Sequence, residues 1–185
     1  TGLSRTRAML EFDILQKMYD MQLPVPKPYA SRVIKHGATY EASIVTHRLE
    51  GHTLAHLLSS TTLSDQQWEN TGSTIARFHR HGIYHADLNA HNILINDEGL
   101  VSLIDFDRAR FRPVSTQLSS ETWCVSNLDR LWRSLEKVAT QKQGEFIRTQ
   151  LDSSAAESAK ALGKALIYDV QQGFELLKSS WTGAK

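Results

Sequence analysis

Apolar positions along the chain follow two spacings, and the switches between them mark out the elements. Between Ser4 and Gln22, Ala8, Phe12, Leu15 and Tyr19 share one face at helical spacing, with Leu10, Ile14 and Met18 beside it. The run Leu23-Pro24-Val25-Pro26-Lys27-Pro28 ends that helix, because each proline steers its predecessor out of the α region. Two strands are predicted next, Arg32 to His36 and Tyr40 to Arg48, around a turn at Gly37-Ala38-Thr39. Leu49-Glu50-Gly51 reads as a connector and Thr53 to Leu58 as a short helix. The clearest helix runs from Ser64 to Arg80. Ser64 and Gln67 form a capping box, Trp68, Gly72, Ile75 and His79 fall on one side, and Gly82 closes it.

After that helix, Ile93-Leu94-Ile95 and Val101-Ser102-Leu103-Ile104 read as two short buried strands around the turn Asn96-Asp97-Glu98-Gly99. The remainder is helical. Leu128, Leu131, Trp132, Leu135 and Val138 make one stripe; Leu162, Leu166, Val170, Phe174 and Leu177 make another, led by a Ser154/Glu157 capping box. The fold class is therefore α+β, with a mostly helical C-terminal part.

Composition narrows the function classes. A net charge of +1 gives no signal for nucleic acid or for an anionic membrane surface. One cysteine excludes an internal disulfide framework and fits a reducing compartment, with Cys124 expected as a small buried apolar residue. No apolar run is long enough to span a bilayer, and no charged-then-apolar leader opens the chain. The expectation is a cytoplasmic protein, with peripheral membrane contact left open. The four tryptophans read as core, Trp181 having membrane-interface contact as its alternative.

The chemistry sits between Tyr84 and Asp107. Asp87 and Asn92 lie five apart in a loop directly before one strand, and Asp105 directly follows the next. A hairpin between Asn92 and Asp105 would bring all three to one edge. Phosphoryl transfer needs such a set: one carboxylate to orient the attacking hydroxyl and accept its proton, and an amide oxygen with a second carboxylate for magnesium. His79, His81, His85 and His91 show no zinc-ligand spacing, and Mg²⁺ does not select imidazole.

His85-x-Asp87-Leu88-x-x-x-Asn92 followed by Asp105-Phe106-Asp107 resembles the catalytic loop and metal-binding motif of the protein-kinase superfamily. The resemblance implies a protein-kinase-like fold using ATP and Mg²⁺. Asp87 would be the catalytic base, Asn92 and Asp105 the metal ligands, and His85 a structural residue of the loop. It makes Glu11 the helix carboxylate that pairs with a phosphate-binding Lys, and puts the adenine-reading hinge at Thr46-His47-Arg48-Leu49-Glu50-Gly51, with His47 and Leu49 as nucleotide contacts. Residues 1–48 would form an incomplete N-lobe and 49–185 the C-lobe. Ala86 stands where kinases regulated by activation-loop phosphorylation carry Arg, Asp107 replaces a Gly, and no Ala-Pro-Glu-like segment follows; small-molecule kinases show that pattern.

Three stretches make the resemblance closer. These are Ser4-Arg5-Thr6-Arg7-Ala8 with Glu11-Phe12 and the proline run, Ile75 to Leu94, and Leu103-Ile104-Asp105-Phe106-Asp107-Arg108. From Gly2 to about Lys137 the chain resembles the Kdo kinases of Gram-negative bacteria, which group with the lipopolysaccharide core heptose kinases. That implies phosphorylation of the 4-hydroxyl of Kdo on a Kdo-bearing lipid A precursor at the cytoplasmic face of the inner membrane, with no nucleic-acid partner. Arg108 and Arg110, just past Asp105, are the first candidates for an acceptor carboxylate or phosphate; Arg130, Arg133 and Lys137 share a helix face that is either a second such surface or simply solvated. No Lys precedes Glu11, so the glycine-rich loop and Lys strand are expected upstream of Thr1. A non-catalytic nucleotide-binding domain and another sugar, aminoglycoside or RIO-type kinase remain as alternatives.

Overall fold

A computed structural model describes residues 6–60, 62–114, 121–149 and 156–183. Helix α1 spans Arg7–Asp20, and the Thr6 hydroxyl accepts from the Met9 N–H at its start. Ser4 and Arg5 lie outside the described residues. The buried face of α1 is not centred where the apolar spacing put it. Leu15 and Met18 are buried, whereas Leu10 and Tyr19 are exposed. The physical reason is that α1 packs on one side only, against the hairpin β1 (Pro28–His36) and β2 (Thr39–Thr46) and the Leu23–Val25 segment. The hairpin turns over Gly37 and Ala38, pairing His36 with Thr39. Both strands differ from expectation at their outer ends: Pro28 pairs with Thr46, and His47 and Arg48 fall beyond the strand. An edge position tolerates Pro28 because no ladder donor is needed there.

Strand β3 (His52–Thr53) leads into α2 (Leu54–Ser60), whose first turn is capped by the Thr53 hydroxyl accepting from His56 N–H at 3.1 Å. Helix α3 (Asp65–Arg80) carries the full capping box at Ser64 and Gln67, and Trp68, Gly72, Ile75 and His79 are all buried as the spacing predicts. Gly72 is required by packing: a Cβ there would sit 2.1 Å from the Leu177 carbonyl oxygen. Strand β4 (Ile83–Tyr84) pairs with β7 (Arg110–Phe111), and β5 (Ile93–Ile95) and β6 (Val101–Leu103) complete a three-stranded antiparallel sheet in the order β3-β5-β6.

Two long helices, α4 (Thr122–Thr149) and α5 (Ala156–Gly183), pack against each other, and α5 also covers α3. The predicted stripes are buried at Leu128, Leu131, Leu135 and Val138 and at Leu166, Val170, Phe174 and Leu177. Ser154 and the side chains of Glu157 and Leu162 lie outside the described residues. The buried cluster is continuous from Leu15 and Met18 through Leu23 and Val25 to these stripes. Cys124 is fully buried, and burial pushes its thiol up to about 12. Trp181 is buried as well, so its indole faces the core. Among the described residues no helix is long and apolar enough to cross a membrane. The α+β arrangement expected from the sequence is present, with helix, hairpin, connector, helix, loop and small hairpin in the expected order.

Candidate active site

The loop between β4 and β5 is fixed from beneath by a buried polar chain. Asn127 of α4 accepts from the His85 N–H at 3.2 Å and donates from Nδ2 to the His85 carbonyl at 3.0 Å. Its Oδ1 also lies 3.4 Å from His79 Nε2, and Trp181 Nε1 donates to His79 Nδ1 at 2.9 Å. An indole N–H can only donate, so His79 Nδ1 is the acceptor and Nε2 carries the ring proton toward Asn127. A second proton on that ring would face the indole N–H. Burial lowers the His79 pKa to about 4.

His85 then joins the loop to the strand that ends at Asp105. Its Nδ1 accepts from the Asp87 N–H at 3.2 Å, and its Nε2 donates to the Ile104 carbonyl at 3.0 Å. Ile104 N–H in turn donates to the Asn92 carbonyl at 3.0 Å. Ile104 is therefore held on one side by His85 and on the other by Asn92. The His85 ring lies 4.8 Å from the fully buried Phe106 ring. Burial lowers the His85 pKa, while the Ile104 carbonyl, Asp105 and Asp87 act the other way.

Asp87 is half-exposed, with both carboxylate oxygens engaged: Oδ1 accepts from Arg130 Nη1 at 3.2 Å and Oδ2 from Asn89 Nδ2 at 3.0 Å. Asn92 Nδ2 donates to the Asp87 carbonyl at 2.9 Å. A main-chain carbonyl only accepts, so the Asn92 nitrogen must face it and the amide oxygen is left pointing elsewhere. Asp105 follows β6 with φ +61°, a left-handed conformation that Asp tolerates better than most side chains.

On the α1 side, Arg7 forms a two-pronged pair with Asp107, and Arg108 Nε lies 3.9 Å from the same carboxylate. Glu11 is half-buried there. Its pKa is raised by burial first and then by Asp105 and Asp107, with Arg7 acting the other way. Glu11, Asp107, Arg108 and Arg110 line one cleft of about 410 Å³. A separate groove of about 710 Å³ holds Asp87 together with Arg130, Arg133 and Lys137. The structure thus sets Arg108 and Arg110 beside α1, away from the Asp87 groove. His47 is exposed and its N–H donates to the Lys27 carbonyl at 2.8 Å; neither it nor the half-buried Leu49 lines either cleft.

A sequence profile of the Lipopolysaccharide kinase (Kdo/WaaP) family matches residues 1–150. The chain belongs to this family. It is 42% identical over 146 residues to a 3-deoxy-D-manno-octulosonic acid kinase of Xylella fastidiosa (strain M23), covering 79% of this chain and 57% of that protein. It is 40% identical over 149 residues to the enzyme of the same name from Stenotrophomonas maltophilia (strain K279a), covering 80% of this chain and again 57% of the relative. The chain therefore spans somewhat over half the length of the curated relatives it matches. Among solved structures, a chain of the yeast RNA Pol II CTD kinase CTDK-1 complex is similar with a TM-score of 0.43 and 19% identity, covering 60% of this chain and 36% of that one.

The chain has oxygen donors suited to a hard cation. Asn92 and Asp105 supply an oriented amide oxygen and a carboxylate, both oxygen donors of the kind magnesium takes alongside nucleotide phosphates. Among the described residues no group of three or more His, Cys, Asp or Glu forms a closed metal cage. Two contributors were missed in the sequence. Asn127 had a usable signal, as a polar residue on the buried side of the α4 stripe beside Leu128. Asn89, holding Asp87 Oδ2, had none beyond its place in the loop.

Proposed function

We propose that this family member carries the phosphoryl-transfer site of an ATP-dependent Kdo kinase, acting on the 4-hydroxyl of Kdo in a Kdo-lipid A precursor. The observation that carries the reading is the clamp at Ile104. One residue is bonded both to His85 of the catalytic loop and to Asn92, and the next residue in the chain is Asp105. These two bonds tie the loop that carries Asp87 to the residues that would hold the metal, which supports a reaction driven by positioning and charge neutralisation.

In this reading Asp87 orients the acceptor hydroxyl and takes its proton as the new O–P bond forms. The bond from the γ-phosphorus to the bridging oxygen breaks, and its electron pair leaves with ADP. Magnesium, when bound, neutralises charge on the phosphates; Asn92 Oδ1 and the Asp105 carboxylate are the groups that would hold it. His85 keeps the loop in register as a neutral imidazole. Glu11 serves the nucleotide side from α1, and the main chain around His47 and Leu49 reads the adenine as the connector between an N-lobe part (1–48) and the C-lobe (49–185). Arg108 and Arg110 are a secondary contact for an acceptor anion. The site of action is the cytoplasmic face of the inner membrane, reached by peripheral contact.

The test is transfer from γ-labelled ATP to a Kdo-bearing lipid A precursor by the full-length protein, with the product read by phosphorus–proton NMR. The expected result is one new phosphate on the Kdo 4-hydroxyl. Phosphate on another hydroxyl would correct the regiochemistry, and no transfer to any Kdo acceptor would overturn the assignment.

A further inference from the structure

We infer that the groove between the catalytic loop and α4 is the acceptor subsite, and that Arg133 and Lys137 bind an oxyanion of the acceptor beside the reacting hydroxyl. The inference rests on the kinase reading above and adds the part of the molecule that recognises the acceptor. The groove, about 710 Å³ in volume, is lined from the loop by Asp87, Asn89 and His91, and from α4 by Arg130, Arg133 and Lys137. Asp87 is the one carboxylate among its lining residues. Three cations therefore face a single acid.

The spacing of these cations follows from the helix. Positions 130, 133 and 137 fall on one face of α4, over a rise of roughly 10 Å. The opposite face is anchored by Leu128, Leu131 and Leu135, all buried, so the ladder of cations cannot turn away. Ser134 Oγ, on the same helix, accepts from the Ala90 N–H at 3.1 Å and fixes α4 against the loop. Arg130 is engaged by Asp87 at 3.2 Å. Arg133 and Lys137 are exposed and form no ion pair among the described residues.

An acceptor hydroxyl at Asp87 would place a group one to two helical turns away beside Arg133 and Lys137. That is the span from a hydroxyl to an acid group on the same sugar, or to a phosphate on its neighbour. Both present the planar or tripodal oxygens that Arg and Lys match. Arg130 is a positioning residue: its contact with Asp87 Oδ1 at 3.2 Å orients the carboxylate within the groove.

The test uses the full-length protein with Arg133→Ala and Lys137→Ala, measuring KM for a Kdo-bearing lipid A precursor and the affinity for Mg-ATP. Acceptor KM should rise roughly 10- to 100-fold, as expected for losing a charged hydrogen bond, with nucleotide affinity unchanged. Folded variants with unaltered acceptor KM overturn the inference. Acceptors with the Kdo carboxylate esterified, or with the lipid phosphates removed, identify the source: whichever change raises the wild-type KM while adding little in the variant supplied the anion. Arg130→Ala should lower kcat as well as raise acceptor KM, and Arg130→Lys should restore kcat. A purely structural role would leave kcat and KM of the folded Ala variant unchanged and would overturn the positioning role. Failure of the Kdo kinase reading is separable: NMR titration of free Kdo and of inorganic phosphate should shift the His91 signals in wild type but not in the Arg133→Ala/Lys137→Ala double variant, whatever the enzyme phosphorylates. Equal shifts in both proteins count against the groove.

Discussion

The two sides of the loop between β4 and β5 differ in how their charges are balanced. On the α1 side, Glu11, Asp105 and Asp107 are close enough that the two aspartates raise the Glu11 pKa beyond what burial alone does, and Arg7 is already committed to Asp107. Arg7, Arg108 and Arg110 line the same cleft as Glu11 and Asp107, so charges of both signs are mixed on that side. On the α4 side, Arg130, Arg133 and Lys137 face Asp87 alone, so that side lacks negative charge. An anionic acceptor would balance the excess of cations on the α4 side. The proposed reading puts the acceptor on the α4 side and the metal nucleotide on the α1 side, with Asp87 between them. Arg108 and Arg110 lie near Asp105 along the chain, whereas Arg130, which engages Asp87, comes from a distant helix.

The largest expected effect is at the boundary itself. Asp87→Asn keeps a hydrogen-bonding side chain toward Arg130 and Asn89 but cannot accept the proton, so transfer should fall by at least ~10²-fold with nucleotide binding retained. Turnover near wild type would remove Asp87 from the mechanism and with it the division into sides. The frame beneath the loop comes next. Asn127→Ala strands the His85 N–H and carbonyl and the His79 Nε2–H in the core, which should cost about 3–5 kcal/mol in denaturant unfolding. A loss under about 1 kcal/mol would mean that water or a neighbour replaces the amide.

His79 sharpens the same point through pH. Its folded pKa is lowered to about 4 from an ordinary 6.5. Between those values the unfolded chain binds the proton and the folded chain does not. The stability is present in full above pH 6.5 and is lost as pH falls toward 4, by up to about 3 kcal/mol. Comparing unfolding of wild type and His79→Gln from pH 7 to pH 4 should show a steeper slope in wild type, since Gln keeps a donor and an acceptor without titrating while His85, also lowered by burial, contributes to both profiles. Parallel profiles would remove His79 as the cause. The smallest effect belongs to Arg108→Gln and Arg110→Gln. Both residues are exposed and Arg108 is shared with Asp107, so acceptor KM should rise by no more than about threefold. A rise as large as that from Arg133→Ala would move the acceptor to the α1 side.

Much of this was legible in the chain, and the exceptions share a cause. The capping box at Ser64, the α3 and α4 stripes and the β5–β6 hairpin depend on contacts a few residues apart, so their signals are local. The α1 stripe was displaced because a two-stranded hairpin covers only one flank of the helix, which spacing cannot reveal. The residue types around Asp87, Asn92 and Asp105 suggested phosphoryl transfer because the intervening hairpin is short. Arg130 reaches Asp87 across 43 positions, and Trp181 reaches His79 across 102; no periodicity encodes such contacts. Asn127 was visible as a polar residue on an apolar face, but its partners were not.

The division into two sides is tested most directly by nucleotide affinity with and without magnesium, in the full-length protein and two variants. Asp105→Asn suits the comparison because Asn also tolerates the φ of +61° found there. With magnesium present, Asp105→Asn should bind ATP at least ~10-fold more weakly than wild type, the scale for disturbing a metal site, and with chelator present the two should match. The Arg133→Ala/Lys137→Ala double variant should bind Mg-ATP as wild type does. If Asp105→Asn keeps its magnesium-dependent affinity, or if the double variant is the one that loses it, the assignment of nucleotide to the α1 side and acceptor to the α4 side is wrong.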